Sequence, residues 1–332
     1  MAELTGLEPL LRLLSDGAVH SGEALGEALG ISRAAVWKQL QKLQAAGVEV
    51  NAVKGSGYQL ATALDLLDGK TLAAELRRSL RLPFTLQVDT QVASTNREAM
   101  AWAATAAADS GIFIALAEQQ SAGRGRRGRD WVSPLAANIY LSLVASFSAG
   151  AAALEGLSLA VGVAVRRALQ RFDCETQLKW PNDILCAEKK LGGILLEMTG
   201  DPVGDCRVVI GVGLNVAMPA DAAGAIGQPW TDLRTELGLV PRRTELALAL
   251  IEEIVEVTTH FQSRGFSYWR DEWLQASAWT AQAVQVEGPA GLLGGVMIGV
   301  DDSGALLLQD HTGSVQRIVG GELSLRREGG ER

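Results

Sequence analysis

The sequence predicts an α+β chain built of three consecutive parts. Three observations carry this. Residues 1–60 show helical apolar spacing and then a short β pattern. The middle of the chain mixes strands and helices without strict alternation. From about residue 281 only short strands remain, separated by turns. At 332 residues the chain has room for two or three domains, and the boundaries are expected at 1–64, 65–274 and 275–332.

In the first part, Leu7, Leu10, Leu11 and Leu14 recur at helical spacing. Ser21 is placed to cap a second helix, with Glu23 in its first turn and Ala24, Leu25 and Ala28 along it. Gly30 breaks that helix and Ser32 caps a third. On the third, Val36, Leu40 and Leu43 share one face, which leaves Arg33, Trp37, Lys38, Gln41 and Lys42 towards the other. Val48, Val50 and Val53, the turn Lys54-Gly55-Ser56-Gly57, then Tyr58 and Leu60 form a hairpin. This is a winged helix-turn-helix, and Ser32, Arg33, Trp37, Lys38, Gln41, Lys42 and Lys54 are its expected DNA-contacting residues. Such folds also serve as plain protein-contact modules, and the slight acidity of this segment keeps that reading open.

Residues 61–70 read as a linker. Strands are expected at 85–88, 112–117 and 138–146, with helices at 94–108, 153–172 and 243–263. The helix at 153–172 is apolar nearly all round through Leu157, Leu159, Val161, Val163 and Val165, so it is expected to be buried. Short β-rich runs follow at 178–180, 192–198 and 207–212. The last part offers strands at 283–286, 294–300, 305–308 and 315–319, the spacing of a small β-barrel.

Composition narrows the function. Hydrophobic content of 48% and charged content of 20% describe an ordinary globular protein. No apolar run approaches the roughly 20 residues of a membrane span, and Glu3 and Glu8 replace the basic start of a signal peptide. Cys174, Cys186 and Cys206 lack metal-ligand spacing, so they are expected to be buried thiols in a reducing cytoplasm. His20, His260 and His311 are scattered, which gives a His-rich metal site or a serine-type triad little to build on. The net charge of −8 excludes a general nucleic-acid coat, so any DNA contact must come from a local basic face.

Against that acidic background stands Gly123-Arg124-Gly125-Arg126-Arg127-Gly128-Arg129-Asp130. Like charges this dense repel unless they stay solvated or meet an anion. Glycines let backbone amides approach that anion, and arginine's planar fork suits phosphate or carboxylate. The segment reads as a mobile clamp for a phosphorylated or carboxylated small molecule. Its glycines also satisfy a dinucleotide fingerprint, but Asp130-Trp131-Val132-Ser133-Pro134 follows instead of the helix that fingerprint requires. A solvated basic loop or an RNA-binding patch remains the plain alternative.

The loop is joined, in order, by Ser94-Thr95-Asn96 before it, then Lys179-Trp180-Pro181-Asn182-Asp183, Lys189 to Glu197, and Gly211-Val212-Gly213-Leu214-Asn215-Val216. With the arginine loop these make the chain resemble the biotin protein ligases over nearly its whole length. Its N-terminal segment further resembles the bifunctional kind that also represses a biotin operon. The resemblance implies a class II synthetase-like central domain and an SH3-like C-terminal barrel. It implies activation of biotin by ATP to biotinyl-5′-AMP, with Mg²⁺ assisting, and transfer to a lysine of biotin carboxyl carrier protein. Operator DNA and a ligand-linked homodimer are implied partners.

Residue by residue, the resemblance places Ser94, Thr95, Asn96 and Gln120 at the biotin head, where hydroxyl and amide groups match a ureido ring. Gly123, Gly193 and Gly211 would let backbone come near the bicycle, and Trp131 would fold over it. Arg126 and Lys190 would meet the reacting carboxyl–phosphate region, with Arg124 helping to place it. Arg127, Arg129, Lys179, Asn182, Asn215 and Trp230 would hold the nucleotide, Trp230 by stacking on adenine at the end of the loop 217–229. Asp183 would join the catalytic set and place the metal. The plain readings are that Ser94 is a helix N-cap and that Asn182 and Asp183 cap a turn. A biotin-responsive regulator without useful ligase activity would show a damaged arginine loop or lack Lys190. A ligase for another acid such as lipoate would replace Ser94, Thr95 and Gln120 by apolar residues.

Overall fold

A computed structural model of the chain describes residues 4–107, 109–148, 150–220, 222–288, 291–320 and 323–327. The first helices are α1 (Glu8–Leu14), α2 (Gly22–Leu29) and α3 (Arg33–Ala45). Their starts follow from the caps. The Ser21 hydroxyl accepts from the Ala24 amide at 3.0 Å, and the Ser32 hydroxyl from the Ala35 amide at 3.2 Å. Each satisfies an amide that a helix start leaves without an internal partner. Gly30 ends α2 at φ +66°, where a side chain would be strained. Leu10, Leu14, Leu25, Val36, Leu40 and Leu43 bury together with Val50 and Leu60 of the antiparallel hairpin β1 (Val50–Val53) and β2 (Gly57–Leu60). The helix-turn-helix and its wing are both present. Trp37 is 52% exposed on the outer face of α3, and Arg33, Lys38, Gln41, Lys42 and, on the wing, Lys54 are exposed too.

The expected linker at 61–70 ends early, because Asp68 caps a further helix, α4 (Gly69–Ser79). The central strands are β3 (Phe84–Val92), β4 (Ile112–Gln120), β5 (Asn138–Phe147), β6 (Gln177–Lys179), β7 (Asp183–Cys186), β8 (Lys189–Gly200) and β9 (Cys206–Asn215). They form one sheet in the order β3-β4-β5-β9-β8-β7-β6. Among its strands in the described residues only β3 and β4 pair in parallel, joined through α5 (Thr95–Thr105). The expected end of that helix, 108, lies outside the described residues. Trp180, expected in a strand, instead follows β6 in the turn to β7.

Helices cover both faces. On one side lie α6 (Leu157–Gln170) and α8 (Arg243–Arg264), with the short α7 (Leu233–Leu237) and α9 (Arg270–Ala276) near their ends. Leu157, Leu159, Val161, Val163 and Val165 are all buried there, as the apolar pattern predicts. Each such side chain stabilises the fold by about 1.5–3 kcal/mol. Helix α6 starts at Leu157 rather than 153 because Gly156 turns at φ +78°, where a Cβ would lie 2.5 Å from Phe266. On the other side α5 packs alone, through Ala99 and Ala103 against Phe113, Ala115, Val144 and Val209. It covers only part of that face, and the site occupies the rest.

The last part is an antiparallel five-stranded sheet of β10 (Ala283–Gly288), β11 (Gly291–Val300), β12 (Leu306–Gln309), β13 (Val315–Ile318) and β14 (Ser324–Arg327), ordered β13-β12-β11-β10-β14. It docks on the central part where buried Trp180 donates from Nε1 to the Gly304 carbonyl at 3.1 Å. A buried ion pair fastens the other junction. The Arg243 guanidinium lies 2.6 Å from Glu118 and also donates to the carbonyls of Asp65 and Asn138. Glu118 in turn accepts from the Leu67 amide at 2.6 Å. The segment leading from the winged helix is therefore pinned to the sheet one strand turn from Gln120.

Candidate functional site

The open part of the sheet face carries a cleft of about 980 Å³. Its floor is smooth because Gly193 on β8 and Gly213 on β9 are register partners and Gly211 lies two residues away. Trp131 lies on this patch: a Cβ on Gly213 would come within 2.5 Å of its ring. The Trp131 Nε1 hydrogen is buried and, among the described residues, has no acceptor. An unmet buried donor costs about 1–3 kcal/mol, so this group is set up for an acceptor on a ligand.

Beside the patch runs a chain of polar side chains. The Thr95 amide donates to Gln120 Oε1 at 2.9 Å, and Gln120 Nε2 donates to Ser133 Oγ at 3.0 Å. Ser142 Oγ lies 2.7 Å from Thr95 Oγ1 and donates to Asn96 Oδ1 at 2.6 Å. Asn96 Nδ2 donates to Glu197 at 2.7 Å. Ser94 stands at the N-cap of α5, yet its hydroxyl makes no cap bond. The cap reading therefore does not use it, and Ser94 faces the cleft with Thr95.

The arginine loop folds as a narrow turn. The Gly125 amide donates to the Arg129 carbonyl at 2.7 Å around a single 3-10 turn, Arg126–Gly128. No helix follows, which removes the dinucleotide reading. Arg126 donates to Asn182 Oδ1 at 2.8 Å, and Asn182 Nδ2 to the Ile194 carbonyl at 2.8 Å. Arg124 pairs with Glu197 at 3.2 Å. Arg127 and Arg129 are exposed along the rim.

Opposite the loop, Asp183 Oδ1 lies 2.7 Å from Lys190 Nζ, and its Oδ2 3.5 Å from Lys179 Nζ. Burial alone would raise the Asp183 pKa. The charges of Lys190 and Lys179 outweigh it and hold the carboxyl below its usual value. Burial lowers the pKa of Lys179, with the Lys190 charge acting in the same sense and Asp183 opposing. Lys190 is also strapped to the glycine- and alanine-rich loop 217–229. Its amide donates to the Pro229 carbonyl at 3.1 Å, and its carbonyl accepts from Thr231 at 2.9 Å. This strap sets Trp230 on the cleft wall, and Asn215 secures it by donating to the Thr231 carbonyl at 3.0 Å.

All the expected small-molecule site residues but one line this cleft; the exception is Gly123. Gly123 lies behind it, where a Cβ would lie 2.6 Å from the Trp131 carbonyl and Ser133 Oγ. Gly211 also differs from expectation: the space its missing side chain leaves is taken by Asn96, 2.2 Å from where a Cβ would sit. The amide of Asn96 is engaged at both ends. The expectation that Asp183 places a metal does not fit this donor set. Each of its oxygens faces a lysine. Cys174 and Cys206 are buried as expected, but Cys186 is only half-buried, at the end of edge-proximal β7.

Three groups were not legible. Ser142 and Ser133 complete the polar chain but sit in apolar or irregular segments without a motif. Gly213 shares a motif with Gly211, and only the sheet register distinguishes their tasks. Trp279, in the connection between α9 and β10, and Arg326 and Arg327 on β14 line the far end of the cleft. Lys179 lies over the Trp279 ring at 4.7 Å. Among the described residues, eight cationic side chains line the cleft against three carboxylates. In a chain of net charge −8, that bias selects an anionic ligand.

Residues 91–215 match the biotin/lipoate A/B protein ligase family, residues 7–59 a helix-turn-helix domain, and residues 282–326 the biotin protein ligase C-terminal domain. The bifunctional ligase/repressor BirA of Salmonella typhimurium is 36% identical over 318 residues, 96% of each chain. That of Bacillus subtilis is 29% identical over 309 residues, 92% of this chain and 93% of the relative. Among solved structures, the biotin protein ligase of Aquifex aeolicus in complex with biotin and ATP superposes with a TM-score of 0.61 at 26% identity. It covers 74% of this chain and 99% of its own. No helix among the described residues is long and apolar enough to cross a membrane.

Proposed function

The chain belongs to the biotin protein ligase family, and from that premise we propose how its cleft and its winged helix work together. The protein activates biotin with ATP and transfers it to protein, and its helix-turn-helix makes it a repressor as well. In the first step a carboxylate oxygen of biotin attacks the α-phosphorus of ATP. An acyl–phosphate bond forms, the bond to the β-phosphate bridging oxygen breaks, and pyrophosphate leaves. In the second step the ε-amine of a lysine on biotin carboxyl carrier protein attacks the acyl carbon. An amide forms, AMP leaves, and the amine gives up a proton.

The observation that carries this reading is the convergence of Arg124, Arg126 and Lys190 on one cleft whose other wall is the polar chain at Thr95 and Gln120. Thr95, Gln120 and Ser94 offer the mixed donors and acceptors a ureido ring needs. Charge crowds the phosphoryl centre in the transition state, and preorganised cations there are the main catalytic resource. Arg126 and Lys190 take that task, and Arg124 places the carboxyl. Lys179, Asn182, Arg127 and Arg129 serve the polyphosphate, with Asn215 and Trp230 beside the adenosine. Asp183 holds Lys190 and Lys179 in place, one on each of its oxygens. Mg²⁺ would arrive on the nucleotide's own phosphate oxygens, since Asp183 is committed to its lysines.

Operator DNA is read by the exposed face of α3, through Arg33, Trp37, Lys38, Gln41 and Lys42, with Lys54 on the wing and Ser32 at the helix start. One winged helix offers few base contacts, so a homodimer on a two-fold operator is the working form. We place the protein in the cytoplasm, a reading supported by three cysteines that form no disulfide among the described residues. Mass spectrometry of purified carrier incubated with the chain, biotin and ATP tests the ligase. One biotinyl group on one lysine is expected, and an unmodified carrier overturns it.

A further inference from the structure

We propose that Glu197 is a positioning residue of ligation, holding Arg124 of the arginine loop in register with the biotin pocket; this rests on the ligase reading above. Glu197 lies on β8, paired across to Val209, and does not line the cleft. Its carboxylate stands behind the wall and is held there by a buried group, since Asn96 Nδ2 donates to Oε2 at 2.7 Å. Asn96 cannot turn away. Its Oδ1 accepts from Ser142 and fits the gap left by Gly211, where even a Cβ would collide.

From that fixed point Glu197 reaches the loop. Arg124 Nη2 lies 3.2 Å from Oε1 and 3.3 Å from Oε2. The Arg124 side chain is 48% exposed, so without this partner little would hold its long stem in one place. Two lines of contact therefore fasten the loop to one polar chain. At its start Arg124 binds Glu197. At its end the Trp131 carbonyl accepts from Ser133, which accepts from Gln120. The same chain touches Thr95, so the carboxyl clamp and the ring pocket share one rigid support. Fixing an arginine before the ligand arrives removes an ordering cost that binding would otherwise meet.

The test uses the full chain and three proteins, Glu197→Gln, Arg124→Ala and the double variant, with pyrophosphate release read against biotin concentration. Glu197→Gln keeps the shape and removes the charge. Its KM for biotin is expected to rise roughly tenfold or more, the scale of one charge-assisted hydrogen bond, with a smaller change in kcat. In the Arg124→Ala background the same substitution is expected to add little, because it acts through the missing guanidinium. A full additive loss in the double variant, or an unchanged KM in Glu197→Gln, overturns the proposal. Should Glu197→Gln not fold, Glu197→Asp keeps the charge and shortens the reach. A raised KM is again expected, and a wild-type KM overturns the role. A wild-type chain that releases no pyrophosphate overturns the ligase reading with it, whereas additivity in an active enzyme overturns the role of Glu197 alone.

Discussion

Asp183 decides how two lysines can share a confined space. Its carboxylate separates Lys190 and Lys179, both mostly buried, and removing it leaves two like charges without compensation. Asp183→Asn should therefore destabilise the chain by about 3–5 kcal/mol. The sign of its pH dependence follows from the lowered pKa. A depressed carboxyl contributes its stability above the unfolded value and loses it as pH falls through the folded one. Urea unfolding should give a constant wild-type advantage between about pH 5 and 8 that shrinks only below about pH 4. Lys190→Ala should lower pyrophosphate release by about 100-fold or more, and Lys190→Arg should restore it only in part, because a fork and an ammonium place charge differently. Near-normal release in Lys190→Ala would remove it from catalysis. Arg126 is tied to Asn182 at the mouth of the cleft. Arg126→Gly should shorten retention of biotinyl-AMP more than it slows formation, and a filter-binding chase with wild-type retention would contradict that.

Among the elements, α3 would carry operator binding and the sheet face around α5 would carry ligation. The α3 substitutions Arg33→Ala and Lys38→Ala lie on its exposed face, so operator affinity should fall while pyrophosphate release stays at the wild-type level. A parallel loss of both would mean that the helix is structural. This helix was legible because its caps, breaker and apolar spacing all agree. The arginine loop was legible because dense like charge needs a reason, and Lys179–Asp183 because its motif resembles that of the biotin protein ligases. Helices α7 and α9 and strands β7 and β14 were not, since they are short and their pattern is set by what they pack on, and α4 was not because its start falls in the segment expected as a linker. The roles of Gly211 and Asn96 were hidden for a related reason. Sequence shows a glycine that something must approach, but only the register across β8, β9 and α5 shows that Asn96 approaches it.

At the scale of the whole molecule, one buried pair links the parts. Arg243 and Glu118 join the segment after the winged helix to strand β4, which ends in Gln120, and to Asn138. Asn138 also accepts from Val216 at the root of the loop 217–229. Arg243→Ala should cost about 3–5 kcal/mol by leaving Glu118 buried alone, measured by denaturant unfolding. In the proposed homodimer, biotinyl-AMP filling the cleft would lower the entropic cost of forming an interface beside it. By linkage, biotinyl-AMP should favour dimerisation and dimerisation should favour biotinyl-AMP by the same factor. We propose that one bound adenylate serves both repression and ligation. The most direct test follows operator occupancy and carrier mass in a single reaction, with the chain preloaded with biotinyl-AMP on operator DNA. Added carrier should gain biotin as the operator complex dissolves in step, and a carrier whose acceptor lysine is replaced by arginine should do neither. An operator complex that persists while the carrier is fully biotinylated would contradict the account.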